Sequence, residues 1–296
     1  MKVLVTGSKG QLGCELIKQL KEKRCVLGPV PIEFADCRVT GVDIEEIDIT
    51  DESAVTGFIQ SGGFDVIFNA AAFTNVDLCE TEQDMAFRVN ADAPGFIAKA
   101  AKSANTRLVH ISTDYVFSGE DSPPRTESDP TGPKTVYGKS KLSGEQQVAK
   151  ANDGAVIVRT AWLYGVQGKN FVKTILGLTK KNNKLTVVND QFGNPTNAED
   201  LAYHLLRLAV SGESGIFHCT NNGVCSWYDF ALEIISAAKI DIPVIPCASK
   251  DFPRPAARPK YSALDNFRLR STVGDMMREW RTAIRDYIPG IIKELK

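Results

Sequence analysis

The opening residues MKVLVTGSKGQLG constrain the fold more than any other stretch of the chain. A short apolar, β-branched run (KVLVT) ends at Gly7, and Gly10 and Gly13 follow at three-residue spacing. Directly after them, QLGCELIKQLKEK places its apolar residues at helical spacing. This is strand, glycine turn, helix. Glycine admits positive φ and lets a ligand approach the backbone closely. The first turn of the helix then offers unpaired N–H groups and a partial positive charge to an anion. At the first strand–helix turn of a βαβ unit, such spacing predicts a bound dinucleotide pyrophosphate. Gly7, Lys9, Gly10, Gln11, Leu12 and Gly13 are the candidate residues of this loop.

The pattern then repeats. RVTGVD, FDVIFNAAA, TRLVHIST and GAVIVRTAW read as strands, and ESAVTGFIQS, DMAFRVNADAPGFIAKAAKSA and the segment opened by Tyr137 read as helices. Continuous Val/Ile/Leu strands alternating with amphipathic helices predict an α/β fold with a doubly wound parallel sheet. After about residue 160 the rhythm loosens. The expected division is a Rossmann dinucleotide-binding domain over 1–160 and a smaller, partly interleaved α/β substrate domain over 161–296. The segment at about 197–212, NAEDLAYHLLRLAVSG, would return to the sheet as a helix. Residues 25–38 hold two prolines that interrupt the alternation and read as a surface insertion.

Asp43, at the end of the second strand, is placed to bind the adenosine ribose hydroxyls, which favours NAD because a carboxylate repels a 2′-phosphate. Lys9 would pair with that phosphate or simply stand solvated in its loop, so NADH and NADPH both remain open. Asp48 and Ile49 are expected near the adenine edge. The small residues Ala70, Ala71 and Ala72 let a cofactor lie against the end of the next strand.

Tyr137 and Lys141 stand four residues apart in TVYGKSKLSGE, on one face of a predicted helix. A phenol with a pKa of roughly 10 is a weak acid at neutral pH. An ammonium one turn away favours the phenolate and is expected to lower that value. Lys139 points elsewhere and reads as solvated. Ser112, Thr113, Asp114 and Tyr115 lie at the carboxyl end of the preceding strand, where parallel sheets bind ligands, and one of these hydroxyls is expected to orient a carbonyl. Farther on, KDFPRPAARPKY carries Lys250, Arg254, Arg258 and Lys260 among prolines that prevent a helix. It is a candidate diphosphate clamp with Arg258 as its foremost member.

Composition removes other classes. Lys and Arg total 35 against 36 Asp and Glu, so no general basic field attracts nucleic acid or a membrane surface. Seven cysteines without a Cys-x-x-Cys pair, and three histidines, argue against a zinc site. The chain opens on a strand, shows no apolar run near 18 residues, and is expected to be a soluble cytoplasmic protein with reduced thiols.

Together the glycine loop, Asp43, NAAA, STDYVF and YGKSK resemble the extended short-chain dehydrogenase/reductases over essentially the whole chain. NAAAFTNVDLCE, VNADAP, VRTAWLYG, NFVKT, DQFGNPT and RPKYSALDN are similar more closely to the dTDP-4-dehydrorhamnose reductase family. The resemblance implies NADH- or NADPH-dependent reduction of the 4-keto group of dTDP-4-dehydro-6-deoxy-L-mannose to dTDP-L-rhamnose. By that resemblance Tyr137 donates the proton, Lys141 holds the nicotinamide ribose, and Thr113 bonds the keto oxygen. Thr113 and Asp114 contact the sugar, Tyr115 lies near the cofactor, and Trp162 lines the sugar pocket. Some family members hold Mg²⁺ at a dimer interface. Glu15 and Glu199 match two of those places and Glu294 is a candidate third, but an ordinary helix-surface carboxylate is the better reading of each; Mg²⁺ is therefore not assigned, and a homodimer is left as one possible state. Two other readings stay open: a related sugar-nucleotide epimerase or dehydratase, and a non-catalytic nucleotide-binding regulatory subunit. A dehydratase of this superfamily would carry Glu after Asp114, where this chain has Tyr115. Pure binding has no need of the Thr113, Tyr137 and Lys141 set.

Overall fold

The computed structural model describes residues 1–120 and 123–294. Its centre is a six-stranded parallel sheet built from β1 (Lys2–Thr6), β2 (Arg38–Val42), β3 (Val66–Asn69), β4 (Arg107–Thr113), β5 (Val156–Thr160) and β6 (Gly215–His218). The spatial order is β6-β5-β4-β3-β1-β2. β1 therefore lies between β2 and β3, and the order reverses beside it. In open α/β sheets a ligand binds outside the carboxyl ends of the strands at such a reversal. Gly7 follows β1 there and Ala70–Ala72 follow β3.

The apolar strands are apolar because helices cover both faces. On one face α1 (Gln11–Glu22) packs beside α6 (Ala198–Val210). Leu12, Leu16 and Leu20 meet Leu201, Leu205 and Leu208 in one cluster with Val3, Val5 and Val158. On the other face lie α2 (Glu52–Gly62), α3 (Ala93–Ser103) and α4 (Val136–Ala151), whose Val55, Ile59, Ile97, Ala101 and Val148 surround Leu4, Ile67 and Ile157. α6 thus rests on the sheet although it lies far along the chain, and β6 extends the sheet beside β5.

The other core contains α5 (Phe171–Thr179), α7 (Trp227–Ala238) and α8 (Trp280–Glu294) with a small parallel pair, 185–188 against 244–247. Val172, Ile175, Phe230, Ile234, Trp280, Ile284 and Ile288 fill it. Among the described residues no helix is long and apolar enough to cross a membrane.

The structure adds detail to two local expectations. The surface insertion at 25–38 is tied down: Arg24–Cys25 pairs with Gly28–Pro29, and Phe34 is fully buried with its ring 6.4 Å from that of Phe68. The segment stays at the surface, with only Val30 and Phe34 buried, and that burial anchors it. The long helix expected over 84–104 runs unbroken from Gln83 to Ser103, with a π-helical turn at Arg88–Asp92 between Gln83–Phe87 and α3. The wider turn points Asn90 inward. Its side chain accepts from the Phe73 N–H at 2.8 Å and donates to the Phe73 carbonyl and to Ser140 Oγ.

Candidate functional site

The glycine loop is closed by its own sterics. Gly7 has φ +64°, and a Cβ there would stand 2.8 Å from the Ala71 backbone. A Cβ on Gly13 would collide with the Gly7 carbonyl. Only glycine lets α1 start this close to β1 and β3. α1 begins at Gly10 with no side-chain cap and no acid in its first turn. By contrast α2, α4, α6 and α7 are capped by Asp51, Thr135, Asn197 and Ser226. An uncapped N-terminus facing the strand reversal fits a pyrophosphate.

At the end of β2, Asp43 accepts the Lys9 main-chain N–H at 3.0 Å. Lys9 Nζ lies 2.8 Å from Glu45 and 3.5 Å from Glu46. The lysine weighed as a partner for a 2′-phosphate is thus engaged by two carboxylates, and Asp43 braces the glycine loop. Asp48 turns onto its own chain, accepting the N–H and hydroxyl of Thr50, and Ile49 is half-buried beside it.

A cleft of about 740 Å³ runs from this loop into the smaller unit. Gln11, Leu12, Ala70 and Ala72 line its cofactor end, and Ser112, Thr113, Asp114, Tyr115, Tyr137 and Lys141 line its middle. Thr135 caps α4 by accepting the Gly138 N–H at 3.0 Å, which sets Tyr137 and Lys141 one turn apart and facing the cleft floor. Both are buried, while Lys139 is exposed. Thr113 caps the 3₁₀ turn Asp114–Val116 and donates to Asp114 Oδ1 at 2.9 Å. Burial pushes the Tyr137 phenol above its ordinary pKa, partly opposed by a hydrogen bond with Thr113. The shift runs opposite to the lowering expected from Lys141, because burial disfavours the charged phenolate and the Lys141 ammonium is turned onto the Ile111 carbonyl. Burial also lowers Lys141 to about 8, with the charge of Glu145 opposing that fall. Asp114 is raised to about 6, mainly by burial.

The far end of the cleft is aromatic and basic. Trp162, Phe171 and Trp227 line it with Arg254 and Arg258. Trp162 has φ +47°, a left-handed conformation rare for a bulky residue, and its ring stacks on Trp227 at 3.5 Å and 7°. A Cβ on Gly193 would lie 2.6 Å from the Trp162 indole. The short pairing of Phe192–Gly193 with Cys225–Ser226 places Gly193 and Trp227 on either flank of that ring. Arg258 forms a bidentate ion pair with Asp77, whereas Lys250, Arg254 and Lys260 are exposed.

Trp227, Gly193, Asp77 and Gly138 were not singled out by the sequence. The last had a signal: a Cβ on Gly138 would collide with the Tyr115 carbonyl, so the glycine after Tyr137 lets α4 approach that turn. The candidate metal positions lie elsewhere. Glu15 is buried on α1 and accepts Gln19 Nε2 at 3.1 Å, while Glu199 accepts the Val26 N–H at 3.1 Å. The side chain of Glu294 lies outside the described residues. Among the described residues no three His, Cys, Asp or Glu side chains gather as a metal cluster would.

This chain is similar over nearly its whole length to known proteins. A dTDP-4-dehydrorhamnose reductase structure from Clostridium acetobutylicum is 46% identical, with a TM-score of 0.93 and coverage of 99% of this chain and 100% of that one. The reductase of Bacillus anthracis, solved in complex with NADP, is 36% identical with a TM-score of 0.90, covering 98% and 99%. The spore coat polysaccharide biosynthesis protein SpsK of Bacillus subtilis is 38% identical over 97% of this chain and 96% of its own. The family model described as "RmlD substrate binding domain" matches residues 1–291, and the chain belongs to that family.

Proposed function

We propose that this chain is an NAD(P)H-dependent oxidoreductase that reduces the 4-keto group of dTDP-4-dehydro-6-deoxy-L-mannose, yielding dTDP-L-rhamnose. The observation that carries the reading is the convergence of Thr113, Tyr137 and Lys141 on one cleft that begins at the glycine loop and ends at an aromatic, basic wall. The bound cofactor supplies the hydride to the carbonyl carbon. The backbone N–H groups of the α1 N-terminus hold its pyrophosphate, and Ala70–Ala72 leave room for it beside β3.

Tyr137 and Thr113 hold the keto oxygen between them. As the carbonyl π pair moves onto that oxygen, Tyr137 Oη gives up its proton, leaving a hydroxyl on the sugar and a phenolate on the enzyme. Burial keeps the phenol fully protonated beforehand and makes it a weaker acid, so its phenolate must be stabilised for it to act as the donor. Lys141, one helical turn away, then stabilises the phenolate. Asp114 accepts from Thr113 and fixes its rotamer. Trp162 offers an aromatic wall to the sugar, and the basic segment carrying Arg254 and Arg258 faces the diphosphate.

Replacing Tyr137 by Phe tests this directly. NADH oxidation with dTDP-4-dehydrorhamnose should fall by about 10³-fold or more while nucleotide binding, measured by calorimetry, persists. Undiminished turnover would refute the assignment of the proton donor. Oxidation of neither NADH nor NADPH by the wild-type protein would refute the substrate and leave the fold standing.

A further inference from the structure

Residues Ser249–Lys260 form a strap across the substrate end of the cleft. Its two ends are anchored within the chain's second half and on the β4 side. At one end the Ser249 N–H and Oγ donate to Asp190 at 2.9 and 2.6 Å. At the other, the Lys260 and Tyr261 N–H groups donate to the Gly119 carbonyl at 3.0 and 3.1 Å. Between the anchors, Phe252, Arg254, Arg258 and Pro259 line the cleft. The middle of the strap meets the Rossmann half at Asp77, on the one-turn helix Val76–Cys79 that follows β3. Arg258 Nη1 and Nη2 each donate to Asp77 at 2.9 Å, and the Ala256 N–H donates to the same carboxylate at 3.2 Å. Arg258 Nη1 also donates to the Ala256 carbonyl at 2.9 Å. The pair is only 23% and 27% exposed.

We propose that Asp77 is a positioning residue that pins this strap over the cleft through Arg258, and that Arg254 is the guanidinium that grips the diphosphate. The proposal rests on reading the cleft as the sugar-nucleotide site. Its physical basis is the commitment of the Arg258 fork. Gripping a diphosphate with the same two nitrogens would break two charge-assisted bonds and leave a half-buried Asp77 carboxylate unpaired. Arg254 lines the same cleft four residues earlier and is exposed; it feels the Asp77 charge at longer range but has no hydrogen-bonded ion pair there to break. The fork that sequence chemistry marks for the substrate is thus used to hold the strap, and its neighbour is left for the ligand.

Calorimetric titration of the full chain with dTDP, thymidine and NADH separates the roles. Asp77→Asn keeps the side-chain shape and removes the charge. It should raise the Kd for dTDP about 10-fold while the Kd for NADH stays within about twofold. An unchanged or lower Kd for dTDP overturns the brace. Arg254→Ala should weaken dTDP about 10-fold and leave thymidine unaffected; an equal loss for both overturns its assignment to the diphosphate. The exchanged double variant Asp77→Arg/Arg258→Asp should return dTDP binding to within about threefold of wild type. If Arg258 itself grips the diphosphate, the exchange stays as weak as Arg258→Ala, and the brace fails. Wild-type protein that does not bind dTDP would refute the reading of the cleft, and this proposal with it. Wild-type binding with all variants unaltered would refute the brace alone.

Discussion

The ammonium of Lys141 donates to the main-chain carbonyl of Ile111 at 2.6 Å, two residues before Thr113 on the same strand. The side chain is almost wholly buried, and its pKa is lowered to about 8 from 10.5 by burial, with Glu145 one turn farther along α4 opposing the shift. α4 and β4 thus present the phenol, its cation and Thr113 as one rigid unit.

This fixes a pH dependence. The rate of reduction, as kcat/KM, should fall above about pH 8 as Lys141 loses its proton. Stability moves the other way. The folded pKa lies below the unfolded one, so between about 8 and 10.5 the unfolded chain binds more protons, and the Lys141 contribution to stability rises with pH. Thermal melts recorded beside the pH–rate profile separate the two. A flat profile to pH 9 would show that the Lys141 charge is not required.

Trp162 keeps its left-handed backbone because Trp227 stacks on its ring and Gly193 leaves room for it. Such a conformation costs on the order of 1–3 kcal/mol and persists only where neighbours enforce it. Trp227→Ala should therefore raise KM for the sugar nucleotide about 10-fold, with kcat and the KM for NADH within about threefold. Gly193→Ala should act the same way by displacing the indole. Steady-state kinetics in both substrates checks this, and an unchanged KM would mean that Trp162 does not touch the sugar.

Lys9, which the sequence offers as a partner for an adenosine 2′-phosphate, is held by Glu45 and Glu46. The Glu45→Gln/Glu46→Gln variant frees that cation and removes two like charges. The ratio of kcat/KM for NADPH over NADH should rise about 5- to 10-fold at low salt, and less at 0.5 M where screening shortens these interactions to within about 4 Å. A ratio that does not move would place the 2′ position away from Lys9.

Much of the site was legible because its logic is local. Gly7 and Gly13 must be glycines for a turn spanning seven residues, and Tyr137 and Lys141 share a face because a helix repeats every 3.6 residues. Thr113 is found at a strand end because the apolar run before it reads as a buried strand. The direction of the Tyr137 shift was not legible, since burial depends on what packs around the phenol: Cys79, Ala86 and Val136 cluster with it, and the Tyr115 ring stands 5.4 Å away. Nor was Phe34, which turns a proline-broken loop into part of the core.

By itself, then, the sequence determined the strand–glycine–helix start, the parallel α/β alternation, and the Thr113, Tyr137 and Lys141 set in the middle of the cleft. Tertiary structure decided which of them are engaged. Asp77 and Arg258 are 181 residues apart, and Lys9 and Glu45 are 36 apart. Periodicity speaks only to neighbours a few residues away, whereas a charge or an indole takes whatever partner the folded chain brings within reach. Hence the same guanidinium reads as a phosphate clamp in the sequence and stands in an ion pair with Asp77 in the fold.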